Sequence, residues 1–482
     1  MQTGKWLVAV IAALLVSLAV PEARAETVVG RLELQWGDPV PAQQVRRGGT
    51  RPAPRFLATL VTDDGRRLPL DARQALKAAG DLYALGGKRV AVELEPSSVR
   101  AALPYRIEAI VHATESAADA GQDAILGTTV WRTVMCKFAD IATEQKPLSF
   151  FDSQYGGAQG QLDHYWREVS YGKVNLAGST AHGWFTLPNP RSYYVPAGGA
   201  ANLNALFDDC TAAANATVDF STGGGVQGIN MMFNGDLDGY AWGGGRCATL
   251  DGVNKCWSTT WNPPWSFNNL SPLAHEMGHG YGLPHANNSD GDSDPYDNPW
   301  DVMSSAWYNA ASDPVYGSVA KHINVYHRDR LGWVDAARKV EAQAGQWLIG
   351  LRLERAGATA ASSPQMIVVR RPGDPVSRYW TVETRRRSGY YESALAGNAV
   401  IIHEVNTARQ TPAQSVDADI PPANLSNNEG SMFKAGETWT APDGSFRIRV
   451  WREDGDAFVV SVCGPRPAPA PGRKFDMCNA VP

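Results

Sequence analysis

Residues 271–285 read SPLAHEMGHGYGLPH, and the rest of the chain is interpreted outward from this stretch. Ser271 is a good N-cap and Pro272 suits the first helical position, so a helix is expected to begin there and to carry His275 and His279 at i and i+4 on one face. Glu276 follows the first histidine, where a carboxylate can hold a water at the same metal without being a ligand itself. Gly282 can adopt the left-handed conformation that ends a helix and reverses the chain, which lets His285 return as a third nitrogen ligand. Three imidazoles leave one tetrahedral position open, the arrangement of a catalytic Zn2+ site; a structural zinc has all four positions filled by protein.

The flanking sequence supplies a scaffold for such a helix. Leu162, Tyr165, Trp166 and Val169 recur at helical spacing, as do Leu203, Leu206, Phe207, Cys210 and Ala214, while 130–138 and 229–233 are apolar strand candidates. Helices and strands therefore mix over 125–340, an α+β block. Upstream, 26–113 reads as a small all-β module, with strands at 28–34, 55–61, 88–94 and 105–111. The polar, Ala-rich stretch 114–124 has the composition of a linker. Downstream, 341–482 runs strand after strand (347–353, 365–369, 379–384, 399–405, 446–451, 457–462), for which a β-sandwich is the natural packing, followed by a Pro-rich loop at 464–472. The expected fold is thus multidomain: β module, α+β zinc domain and C-terminal β-sandwich.

Composition narrows the functional class. A chain of 482 residues with 44% apolar and 19% charged residues is ordinary globular protein, and a net charge of -5 leaves no basic stripe for a nucleic acid. Residues 1–25 open with Lys5, continue through the apolar run 6–20 and close on Ala23-Arg24-Ala25, the pattern of a cleaved signal peptide. Beyond it no stretch approaches the ~20 apolar residues of a bilayer span. The mature protein is expected to be secreted to the extracellular space or periplasm, and monomeric. All six cysteines follow the cleavage site, which in an oxidising compartment favours three disulfides. Short loops suggest Cys247 with Cys256 and Cys463 with Cys478, leaving Cys136 for Cys210. No C-x-x-C spacing exists, so a cysteine zinc site is not expected.

The pattern H-E-x-x-H-x-x-G-x-x-H over 275–285 resembles the metzincin zinc peptidases. That resemblance implies a Met-turn beneath the zinc, for which Asp301-Val302-Met303-Ser304 is the candidate, with Met303 as its methionine. Within metzincins the chain looks most like the gametolysin-type and immune-inhibitor-A-like secreted peptidases, on YWREVSYGKVNLAGSTAHGW (165–184), NPWDVM (298–303) and RLGW (330–333). The likeness covers roughly 130–334. His285 departs from the aspartate usual in the immune-inhibitor-like branch, and Ser305 stands where some metzincins carry a tyrosine, so Tyr308 and Tyr296 are the candidates for the transition-state donor. The resemblance implies zinc-dependent hydrolysis of peptide bonds in extracellular proteins or glycoproteins, with Glu276 as the proton carrier.

Other features carry less specific expectations. Asp290, Asp292, Asp294 and Asp297 alternate in SDGDSDPYDN and form a candidate Ca2+ loop, although Pro295 excludes an EF-hand; the bland reading is a solvated acidic turn. Asn234, Asp236 and Asp238 form a weaker version of the same pattern. Trp242, Trp257, Trp261, Trp265, Trp300 and Trp307 are expected mainly in the core. His322 and His327, and the isolated His112, His164, His182 and His403, are expected to be structural or surface residues. The 26–113 module admits two readings, inhibitory propeptide or permanent flanking module. No cysteine lies between Glu26 and Met135 to act as a thiolate latch, and the permanent module is preferred. Two other functions share these residues: an exported adhesion or glycan-binding protein with a vestigial zinc site, and a zinc hydrolase acting on a non-peptide bond. Intact Glu276 argues against the first.

Overall fold

Strand β1 (Glu26–Pro39) organises the N-terminal half. Its burial alternates as far as Arg31 and becomes continuous from Leu32 to Pro39, because that half of the strand is covered on both faces. The computed structural model describes residues 25–41, 53–96, 103–113, 124–221, 225–291, 294–343, 345–374, 376–419, 428–465 and 478. Most of the 1–25 leader, the 114–124 linker and the 464–472 loop, and Asp292, lie outside the described residues.

β1 pairs antiparallel with β2 (Arg55–Thr62) along 30–37, and β3 (Arg67–Leu70) extends that edge. Its other edge is shared. Residues 26–31 pair with β4 (Arg89–Pro96), which continues to β5 (Tyr105–His112), whereas 35–39 pair with a strand of the following block. The expected strands are all present, but the module is not all-β: Ala72–Ala79 forms helix α1, capped by Asp71, whose side chain accepts from the Gln74 amide. Only Ala75 and Leu76 of α1 are buried, too short a pattern to read as helical periodicity. α1, β1, β2, β4 and β5 share one apolar core, which includes Leu32, Leu60, Leu76, Val92 and Ile110.

The central block contributes β6 (Val130–Lys137), α2 (Leu162–Val169), β7 (Thr180–Thr186), α3 (Leu203–Ala214), β8 (Val226–Phe233), β9 (Tyr240–Leu250), β10 (Val253–Asn262) and α4 (Leu270–Gly280). The strand order β3-β2-β1-β9-β10-β8-β6-β7 makes the N-terminal strands and the central strands one ten-stranded sheet, not two separate modules. β10, β8, β6 and β7 run parallel, and β9 is antiparallel to both β10 and β1. Side-chain alternation along β6 splits the core: Trp131 and Met135 pack with α2 and α4, while Val130, Val134 and Cys136 pack with α3. Trp242, Trp257, Trp261 and Trp300 are buried, as expected of core tryptophans.

Past α4, β11 (Asn287–Asn288) leads to α5 (Val325–Arg330), and then come β12 (Lys339–Gln343), β13 (Leu348–Glu354), β14 (Met366–Arg370), β15 (Arg378–Arg385), β16 (Ala399–Asn406), β17 (Ala413–Ser415), β18 (Thr438–Thr440), β19 (Arg447–Asp454) and β20 (Ala457–Cys463). They form two sheets, β11-β17-β16-β15-β14-β12 and β13-β20-β19-β18, facing each other across one core that includes Leu353, Ile367, Trp380, Ile402 and Val460. β11 follows α4 by only a few residues, so the sandwich is joined to the central block at its first strand. Among the described residues no helix is long and apolar enough to cross a membrane.

Three disulfides, Cys136–Cys210, Cys247–Cys256 and Cys463–Cys478, match the pairing suggested by loop length. The first ties β6 to α3 across 74 residues and the second closes the β9–β10 hairpin across 9. Loop-closure entropy scales with the logarithm of loop length, giving about 4 kcal/mol for the long loop and about 3 kcal/mol for the short one. Denaturant melts of Cys136→Ala/Cys210→Ala and Cys247→Ala/Cys256→Ala are expected to show the larger loss in the first pair. The reverse order would show that strain or residual unfolded structure outweighs loop entropy.

Candidate metal centre

Helix α4 begins at Leu270 with Asn269 at the N-cap, two residues before the start expected from Ser271. Ser271 is inside the first turn because its hydroxyl has a tertiary partner, donating to the Ala306 carbonyl. The other end is as expected. Gly282 sits at φ 86°, and the Gly282 and Leu283 amides close the helix on the His279 and Gly278 carbonyls at 2.9 and 3.0 Å. The reversal brings His285 back to His275 and His279.

Two of the three rings are oriented from behind. His275 Nδ1 lies 2.6 Å from the Val302 carbonyl and His279 Nδ1 lies 2.6 Å from the Leu283 carbonyl. A carbonyl only accepts, so both Nδ1 atoms carry the proton and, in the neutral rings, both Nε2 atoms present lone pairs. His279 Nε2 is 3.1 Å from His275 Nε2 and 3.2 Å from His285 Nε2. One proton can bridge one such contact, whereas a single cation satisfies all of them. Tetrahedral coordination at zinc–nitrogen distances of 2.0–2.1 Å places ligand nitrogens about 3.3 Å apart, close to what is found.

A fourth group completes the cluster. Asp38, near the end of β1, puts Oδ1 at 2.7 Å from His285 Nε2 and 3.4 Å from His275 Nε2, and Oδ2 at 3.3 Å from His279 Nε2. Tyr296 donates to Asp38 Oδ1 at 2.5 Å. Asp38, His275, His279 and His285 are all buried, and their ligand atoms lie within 4.8 Å of one another, so the group could hold a metal ion. Burial pushes the Asp38 carboxyl up, but the His285 and His275 imidazoles outweigh it and hold the group well below the usual carboxylate range. Burial likewise takes His279 down to about 3, whereas at His275 the carboxylate of Asp38 more than offsets burial and raises it. Glu276 is buried, with Oε2 lacking any hydrogen-bond partner among the described residues. Burial, then the charge of Asp38, raise its carboxyl well above the usual range. An orphaned buried carboxylate oxygen beside a convergent nitrogen set fits a metal with a water to hold.

Met303 lies under the helix. Its sulfur packs where Gly278 has no side chain, between the two histidine positions of α4, and its carbonyl accepts from the Ala286 amide at 3.1 Å. The turn is pinned by Asp301, which accepts from the Met303 amide at 2.7 Å, the Asn324 amide at 3.0 Å and His327 Nδ1 at 2.8 Å. The sandwich braces it from below: Arg385 donates to the Trp300 carbonyl at 2.5 Å, and Trp300 donates to Ser431 at 3.0 Å.

The remaining candidate residues separate clearly. Tyr296 reaches the cluster, its ring 5.4 Å from that of His285, whereas Tyr308 is exposed. His327 serves Asp301, and His322 lies 3.1 Å from Glu168 and 3.5 Å from Glu392, so neither joins the metal group. Asp297 accepts from the Asn288 amide and Asp294 from the Tyr296 amide, and among the described residues Asp290, Asp294 and Asp297 do not gather into a second ligand group. Asp38 was not anticipated. Its only sequence signal is an acidic residue continuing an apolar strand, in Trp36-Gly37-Asp38-Pro39.

Compared with known proteins, the chain matches no family model and no curated protein.

Asp301 provides a test of how the turn is held. Burial raises its carboxyl, but the His327 charge and the backbone amides overcome this and hold it at about 2. A folded pKa below the unfolded ~3.9 contributes stability that is complete above about pH 5 and lost as pH falls toward 2. Asp301→Ala strands the buried donors and is expected to cost about 3–5 kcal/mol at pH 7. Asp301→Asn should be destabilised at pH 7 and approach wild type at low pH. Melting temperatures measured from pH 3 to 7 check this; a constant gap between Asp301→Asn and wild type would refute the charge contribution.

Proposed function

We propose that the chain is a secreted zinc-dependent endopeptidase of the metzincin type, acting on extracellular proteins or glycoproteins. The observation that carries this reading is the convergence of His275, His279 and His285 beside buried Glu276, whose Oε2 has no partner among the described residues, with Met303 packed beneath. Bound zinc supplies Lewis-acid polarisation of a peptide carbonyl and acidifies a water. Glu276, raised by its burial and by the charge of Asp38, would serve as the general base toward an attacking water and return the proton to the leaving amine. The Tyr296 hydroxyl, which points at the ligand position now held by Asp38, donates to the oxyanion of the tetrahedral intermediate. Three disulfides fit residence in an oxidising compartment.

A second reading has one observation in its favour. Counting Asp38, the donor set is four, and four protein ligands are the hallmark of a structural metal. Against it, a structural site has no use for Glu276, whose buried Oε2 lacks a hydrogen-bond partner among the described residues, a burial that costs free energy.

The test is cleavage of a peptide library with and without a zinc chelator, run on the full chain and on Asp38→Ala because Asp38 fills a position the substrate needs. Glu276→Gln in either background is expected to keep stoichiometric zinc and lose at least a thousandfold in turnover. His285→Ala is expected to lose zinc, while His322→Ala and His327→Ala keep it. Equal cleavage by Glu276→Gln and its parent would overturn the peptidase mechanism.

A further inference from the structure

We infer that His322 is a positioning residue for the metal centre, a clasp that closes when its ring is protonated between Glu168 and Glu392 and then steadies His275 through the 300–303 turn; this rests on the peptidase reading of the site. His322 is buried, and each of its ring nitrogens faces a different carboxylate. Nε2 lies 3.1 Å from Glu168 Oε1, on α2 of the central block, and Nδ1 lies 3.5 Å from Glu392 Oε1, between β15 and β16 of the sandwich. Both nitrogens lack a hydrogen-bond partner among the described residues, so the three groups are joined by charge. A neutral imidazole would turn a lone pair toward one of the two carboxylates; only the imidazolium presents N–H to both. Burial raises the Glu168 carboxyl, but His322 and then His164 outweigh it and lower the group. Burial raises Glu392 as well, and Arg385, His322 and Arg328 overcome it. Both carboxylates are therefore charged across the range in which an imidazole ordinarily changes its charge.

The clasp reaches His275 through the backbone. The His322 carbonyl accepts from the Val302 amide at 3.3 Å, and the Val302 carbonyl in turn holds His275 Nδ1 at 2.6 Å. On the sandwich side Glu392 Oε1 is shared with Arg385, which donates to the Trp300 carbonyl at 2.5 Å. Trp300 and Val302, the two neighbours of Asp301, are thus held by members of one ion cluster. A shift in that cluster moves the carbonyl that orients His275. The cluster is sealed at Gly357, where a Cβ would collide with Glu392 and come within 3.3 Å of His322 Nδ1.

The other ionisable groups packed around His322 have partners of their own. From α2, His164 Nδ1 lies 3.0 Å from the Tyr391 hydroxyl of the sandwich, and Tyr165 donates to the Lys321 carbonyl at 2.9 Å. Burial raises both tyrosines, which stay neutral over this range. Arg328 of α5 donates to the Ala356 carbonyl. Lys321 turns its ammonium to the carbonyls of Ser305 and Tyr308, and burial takes it down to about 7. Glu383 of β15, which burial raises to about 7, meets Arg385 at 3.7 Å. His164, Lys321 and Glu383 are therefore the groups against which a proton on His322 must be distinguished.

The experiment loads the full chain with Co2+, adds excess EDTA and follows the visible absorption, which gives the rate of metal release for wild type, His322→Gln and Glu168→Gln. Release is expected to be about tenfold faster than wild type in both variants at about pH 5.5, and within about twofold of it at about pH 8.5, where the wild-type ring has lost its charge. His164→Gln, Lys321→Met and Glu383→Gln are each expected to keep a ratio to wild type that does not change with pH. A ratio for His322→Gln that is constant in pH would mark a merely structural residue and overturn the inference. The acid-side loss appearing in one of the three controls instead would overturn it too. Glu168 is partly exposed, so Glu168→Gln carries the test if His322→Gln does not fold. Where peptide is cleaved, kcat of His322→Gln is expected to fall on the acid side with KM within about twofold of wild type. If metal release follows pH as expected and no peptide is cut by any of these proteins, the positioning assignment stands and the peptidase reading fails.

Discussion

Everything around the centre follows from the mutual approach of imidazole nitrogens that would otherwise repel. Bringing the Nε2 atoms of His275 and His285 to 3.1 and 3.2 Å from that of His279 requires each ring to be held against its preference. The carbonyls of Val302 and Leu283 do this by capturing the opposite nitrogens of His275 and His279. The Val302 carbonyl is available only because Asp301 and Met303 fold the turn beneath α4. That turn in turn leans on Arg385 and Ser431 of the sandwich.

This dependence explains why the sheets are not independent. β11 leaves the histidine cluster directly into the C-terminal sheet, and the buried Arg385, Glu383, Glu392 and His403 lie beneath the turn. The arrangement places many ionisable groups out of water, a cost that is acceptable only where the partners are fixed in position. The sandwich thus supplies rigidity to a cluster whose histidines come from a helix and the turn that follows it.

The N-terminal strand has the opposite relation to the centre. It has its own core, pairs with β9, stacks Trp36 on His279, and adds a carboxylate to a set of imidazoles. Two structural facts could not be read from 26–113: the strands extend the central sheet, and α1 interrupts them. Strand pairing between segments some two hundred residues apart leaves no local periodicity, and a helix burying two side chains leaves little.

What the sequence by itself determined is what short-range geometry controls. His275, Glu276 and His279 share a helical turn, Gly282 must reverse the chain, His285 follows at fixed distance, and short apolar runs mark nearly every long strand of the sandwich. Even there the helix start moved from Ser271 to Asn269, because a tertiary bond to Ala306 outbid the local cap. Tertiary structure alone decided that Asp38 joins the histidines, that Tyr296 rather than Tyr308 faces them, and that His327 serves Asp301. These choices depend on which distant segments pack together, and packing is set by the whole apolar surface to be buried, a quantity no local spacing encodes.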